Sequence, residues 1–73
     1  MNKFYIEAFD ESGTLDTLEV RAHNDVHAIA IAFSTFVAEL VNEGQVIDAI
    51  EFKVDHDGAT ADIAGETIYF TVV

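Results

Sequence analysis

One apolar stripe at helical spacing, framed on both sides by segments that alternate with period two, narrows the folds open to this chain more than any other feature. Val26, Ile29, Ala30, Phe33, Phe36, Val37, Leu40 and Val41 recur at helical spacing and mark a continuous face. Asn24 stands before them as a good N-cap, Asp25 lies in the first turn, and Gly44 follows at the C-cap position. The pattern predicts a helix from Asp25 to Glu43. Ahead of it, Lys3 to Phe9 alternates with Phe4, Ile6 and Ala8 on one face. Leu15 to Ala22 alternates with Leu18, Val20 and Ala22 on one face, and the turn cluster Asp10-Glu11-Ser12-Gly13-Thr14 joins the two as a hairpin. Behind the helix, Val46 to Asp55 is predicted as a third strand, with Ile50, Phe52 and Val54 pointing one way. Gly65 to Val73 is predicted as a fourth, with Ile68, Phe70 and Val72 on one face. Asp55-His56-Asp57-Gly58 has the composition of a turn, and Thr60 to Ala64 either lengthens a neighbouring strand or forms a loop.

The order ββαββ predicts one α+β domain over residues 1–73, a four-stranded, largely antiparallel sheet with one helix packed on one face. The expected core is Phe4, Ile6, Leu18, Val20, Val26, Ile29, Phe33, Val37, Leu40, Ile50, Phe52, Ile68 and Phe70. A single helix covers only one sheet face. The other face is expected to lie open and to show Tyr5, Glu7, Phe9, Thr17, Glu19, Arg21, Ala49, Glu51, Lys53, Thr67, Tyr69 and Thr71.

Charge then limits what such a surface can meet. Fourteen carboxylates face three basic residues, Lys3, Arg21 and Lys53, for a net charge of −11. A surface of that sign repels nucleic acid and anionic membranes and attracts basic proteins. The 51% hydrophobic content excludes intrinsic disorder despite the charge. There is no cysteine, hence no disulfide framework and no thiolate metal site. The longest run free of charged side chains, Val26 to Ala38, is shorter than a bilayer span, and Met1-Asn2-Lys3 leads straight into a strand, so neither a signal peptide nor a membrane segment is expected. The expected location is the cytoplasm.

Two surfaces are candidates for contact. On the open face, Tyr5, Phe9 and Tyr69 have the chemistry of interface anchors, and Glu7, Glu19 and Glu51 supply acid. Aromatics on an open sheet also suit RNA, but RNA binding needs a basic excess to hold phosphate, which this face lacks. The bland alternative is that the rings shield the sheet and the acids serve solubility or adaptation to high salt. Spaced carboxylates, however, imitate the phosphate array of a nucleic acid and suit a basic groove. On the helix, Ala28, Ile31, Thr35, Ala38 and Asn42 lie opposite the predicted stripe. Small residues let a second helix approach closely, so Ala28, Ile31, Thr35 and Ala38 are the expected interface of a symmetric homodimer.

Chemistry beyond contact has little support. His23 and His27 are four apart, but His23 precedes the N-cap, which spoils the geometry for a metal. Asp55, Asp57 and Glu66 fit positions one, three and twelve of a calcium loop, yet Ala59 stands at position five and Gly58 is misplaced. No nucleophile elbow or phosphate-binding glycine loop is present, and a chain this small leaves little room for a deep pocket. No enzyme activity, cofactor or metal is expected.

In size, in its fourteen acids from Glu7 to Glu66, and in its ββαββ pattern, the chain resembles the small acidic inhibitors encoded by phages, including anti-CRISPR proteins and DNA mimics. The passage Val20-Arg21-Ala22-His23-Asn24-Asp25-Val26-His27-Ala28 is similar to the strand-to-helix junction of many small phage proteins. The resemblance implies a stoichiometric blocker, in a host cytoplasm, that occupies the basic site of a nucleic-acid-binding protein. The second reading is a dimeric structural or adaptor domain whose acidity serves solubility or salt adaptation.

Overall fold

The two alternating segments at the start of the chain form β1 (Asn2–Asp10) and β2 (Gly13–Ala22), an antiparallel hairpin. Its register shifts between Ala8 and Phe9, where β2 carries one extra residue. The helix α1 (Asp25–Asn42) follows. The Asn24 side chain accepts a hydrogen bond from the backbone N–H of His27 at 2.9 Å, closing the first turn. At the other end, Gly44 takes φ +90, the Gln45 N–H donates to the Leu40 carbonyl at 3.0 Å, and the Gly44 N–H donates to that of Val41 at 3.0 Å. This pair of bonds around a left-handed glycine ends the helix where the sequence predicts.

The computed structural model describes residues 1–45, 47, 50–55, 58–63 and 65–73. After the helix come β3 (Ile50–Asp55), β4 (Gly58–Ile63) and β5 (Glu66–Val72). The sheet therefore has five strands, not the four expected, and the order is ββαβββ within an α+β fold. The added strand is β4. Its inward positions Ala59, Ala61 and Ile63 are buried and alternate with exposed Thr60 and Asp62. Two of those three inward side chains are methyl groups, so the alternation carries little hydrophobic contrast. The predicted third strand begins at Ile50 among the described residues; Val46, Asp48 and Ala49 lie outside them, as do His56 and Asp57 of the predicted turn.

All strand pairs are antiparallel and the spatial order is β2-β1-β5-β4-β3. The helix lies on one face. It is 18 residues long with a mean hydropathy of 1.3, enough in length and composition to cross a bilayer. Here its Ala28, Ile29, Ala32 and Phe36 are buried in the core.

That buried face shares Ile29 and Phe36 with the predicted stripe but is offset from its centre. The stripe is centred on the large side chains, whereas the sheet receives Ala28 and Ala32 directly and leaves Val26, Phe33, Val37 and Leu40 half-buried on the flank. The sheet side also offers alanines, Ala8, Ala22, Ala59 and Ala61, to the same core. Small groups on both surfaces let the helix sit close to the strands. Phe70 fills the centre, with Phe33 and Phe36 edge-on to its ring at 5.8 and 5.5 Å. Phe33 also stacks on Phe52 of β3 at 3.9 Å. Ile50, expected in the core, is 43% exposed, because β3 is the outermost strand.

Candidate functional site

Pairing fixes what the open face carries. Tyr5 lies opposite Glu19, Glu7 lies between Thr17 and Thr71, and Phe9 lies opposite Tyr69. The Phe9 and Tyr69 rings stack with centroids 5.3 Å apart. Glu7, Glu19 and Glu51 are thus on one face, but none stands directly opposite another. Glu51 is opposite Asp62, which accepts a hydrogen bond from the Thr67 hydroxyl at 2.8 Å. Ala49, placed on this face by the sequence pattern, lies outside the described residues.

All three lysine and arginine residues of the chain occupy this face: Lys3 opposite Arg21, and Lys53 opposite Thr60. The Lys3 ammonium stands 3.0 Å from a Glu19 carboxylate oxygen. Its hydrogen bond and charge, with a smaller contribution from Arg21, hold the Glu19 carboxyl below the ordinary glutamate range. Among the side chains described, the open face carries Glu7, Glu19, Glu51 and Asp62 alongside those three cations. Among the described residues, the acids without cations beside them lie elsewhere.

They are concentrated at one end of the molecule. The C-terminal turn of α1 and the adjoining ends of β1, β2, β4 and β5 enclose a cleft of about 430 Å³ on the helix side of the sheet. Asp10, Asp16, Glu39, Glu43 and Glu66 line it, over a floor that includes Leu15, Phe36, Leu40, Ile47 and Ile63. Glu11 lines an adjoining hollow that shares Asp10 and Glu66. Among the described residues no lysine, arginine or histidine lines either one. The last turn of the helix holds no basic residue, so its partial negative charge adds to that of the carboxylates.

Three strands position these acids in the same way. Asp10 shares the phase of inward Ile6 and Ala8, Asp16 that of Leu18 and Val20, and Glu66 that of Ile68 and Phe70. Asp10 and Glu66 thus close the core-facing rows of β1 and β5 at strand ends, and Asp16 interrupts that of β2 at its fourth residue. An acid in the apolar phase near a strand end was the available signal. Its grouping into one cleft depends on pairings far apart in sequence.

The expected helix interface does not form a continuous face. Ala28 is fully buried against the sheet and Ile31 is half-buried against the core. Thr35 and Ala38 are exposed, and the Thr35 hydroxyl donates to the Ile31 carbonyl at 3.0 Å. The helix is turned so that Ala28 and Ala32 meet the strands, which takes Ala28 out of the expected interface and leaves Thr35 and Ala38 at the surface.

His23 and His27 stack at 5.4 Å, and the His23 backbone N–H donates to Nδ1 of His27 at 3.2 Å. Among the described residues no three His, Asp or Glu side chains are placed to hold a metal ion. Asp55 and Glu66 pair with opposite ends of β4, so a strand separates them where a calcium loop would need a compact turn; Asp57 lies outside the described residues. Comparison with known proteins finds no matching family model, no significantly similar curated protein and no significantly similar solved structure.

Proposed function

We propose that this chain is a non-enzymatic inhibitor that seats its carboxylate-bearing end on the Lys/Arg-rich site of a nucleic-acid-binding protein and keeps nucleic acid out. The observation that carries this reading is the cleft itself, where five carboxylates surround an apolar floor and, among the described residues, no cation lines the wall. Lysine and arginine combine an apolar stem with a charged head. A floor of Phe36, Leu40 and Ile63 suits the stems, and a rim of Asp16, Glu39 and Glu43 suits the heads. Carboxylates spaced along a rim present such a partner with charges like those of a phosphate backbone. This is the mode of action implied by the resemblance to phage-encoded anti-CRISPR and DNA-mimic proteins. Direct binding to nucleic acid or to an anionic membrane is disfavoured by the charge of −11.

Capture from cell lysate on immobilised protein, eluted by rising salt with and without competing DNA, tests this. The expected result is one nucleic-acid-binding protein, released by salt and displaced by DNA. Recovery of no specific protein, or of one that DNA does not displace, would sink the reading. It would favour the competing one, in which acidity serves solubility or salt adaptation.

A further inference from the structure

We propose that β3 is the seam of a symmetric dimer, pairing antiparallel with β3 of a second copy about a two-fold axis through Phe52 and perpendicular to the sheet. β3 stands at the end of the strand order and pairs only with β4 among the described strands. Its helix-side row is Ile50, Phe52 and Val54, with Ile50 43% and Val54 38% exposed. A free edge with an uncovered apolar row is a template for another strand.

The two edges of the sheet are built differently. β2, at the far edge, carries Asp16 in its inward phase, and the register of the β1–β2 pair is broken by a bulge. Inward charge and bulges are devices that prevent edge pairing. β3 has neither. From Ile50 to Val54 its inward row holds no charge, and its register against β4 is unbroken. These two devices are missing from β3, whose charges, Glu51 and Lys53, stand in its outward row.

The sequence of β3 also selects its occupant. An axis perpendicular to the sheet keeps each copy's helix on the same side, and it requires one residue to face its own image. Centred on Glu51 or on Lys53, the pairing would set like charges opposite each other. Centred on Phe52, it sets Glu51 opposite the second copy's Lys53, Lys53 opposite its Glu51, and Ile50 opposite its Val54. On the outer face both pairs are then of opposite charge, and on the helix side six apolar side chains form one row. Cross-strand pairs of both kinds stabilise a sheet. β3 is thus complementary to its own antiparallel image. The same axis reverses strand direction, so the two acidic clefts point opposite ways and their repulsion is kept small.

Sedimentation equilibrium across a concentration series tests the seam. The wild type is expected to reach twice its 8.0 kDa chain mass, and added salt is expected to favour the dimer by screening the net repulsion. K53E and E51K should each raise the dimer dissociation constant about tenfold or more, since two like-charged pairs replace two opposite ones. An equimolar mixture of the two variants should restore association. In that mixture the K53E chain presents acids at both outward positions of β3 and the E51K chain presents lysines at both, so every cross-strand pair is again of opposite charge. The double variant E51K/K53E should self-associate like the wild type. Monomers at every wild-type concentration would overturn the proposal. So would single variants with unchanged association, or failure of both the mixture and the double variant to recover it. Loss of partner capture without loss of the dimer would concern the acidic cleft alone.

Discussion

Ala61 has no solvent-accessible surface and lies in register between Phe52 of β3 and Ile68 of β5. The close approach of the helix depends on such methyl groups, so Ala61→Leu is expected to cost about 1–3 kcal/mol by overpacking, read from urea unfolding. An unchanged midpoint would mean that the space above the sheet is larger than the packing indicates. A second residue-scale expectation concerns Glu19, whose carboxyl is held below the ordinary glutamate range chiefly by Lys3. A lowered folded value contributes stability that is present above the unfolded glutamate value and is lost as pH falls toward the folded one. Lys3→Met should return the Glu19 titration, followed by carboxyl carbon NMR, to the ordinary range; an unmoved titration would remove Lys3 as the cause. At this scale the sequence showed which side chains carry charge but not where they gather. Asp10, Asp16 and Glu66 each interrupt an apolar phase, which is visible along the chain, while their convergence requires the β1–β2 and β1–β5 pairings.

The helix termini were legible because capping is local. Asn24 needs only the His27 N–H three residues on, and Gly44 only the carbonyls of the final turn. Asn24→Ala is accordingly expected to cost about 1 kcal/mol, seen as a lower thermal midpoint by circular dichroism; no loss would show that tertiary packing alone holds the first turn. The rotation of the helix was not legible. Period-based reading centres a stripe on its largest apolar side chains, whereas the sheet admits Ala28 and Ala32 and pushes Phe33 and Val37 to the flank. The same blindness to alanine hid β4, whose inward row is Ala59, Ala61 and Ile63. Both corrections alter the surfaces open to contact. One withdraws Ala28 and Ile31 from the helix exterior, and the other moves β3 to the sheet edge.

For the whole molecule, charge is sorted by position. Lys3, Arg21 and Lys53 lie on the open face with Tyr5, Phe9 and Tyr69, beside Glu7, Glu19, Glu51 and Asp62. Six carboxylates line the cleft and its adjoining hollow, with no cation beside them among the described residues. The composition made a strongly acidic surface legible. It pointed to Glu7, Glu19 and Glu51, because alternation locates faces more readily than ends. The two proposed contacts also respond to salt in opposite directions, with partner capture weakened by screening and the β3 seam strengthened by it. The most direct measurement repeats the lysate capture with two matched variants, one neutralised at the cleft (D16N/E39Q/E43Q/E66Q) and one on the open face (E7Q/E19Q/E51Q). The cleft variant is predicted to lose the DNA-displaceable partner while the open-face variant retains it. Retention by the cleft variant, with loss from the open-face variant or from neither, would contradict the assignment of the acidic cleft as the contact surface.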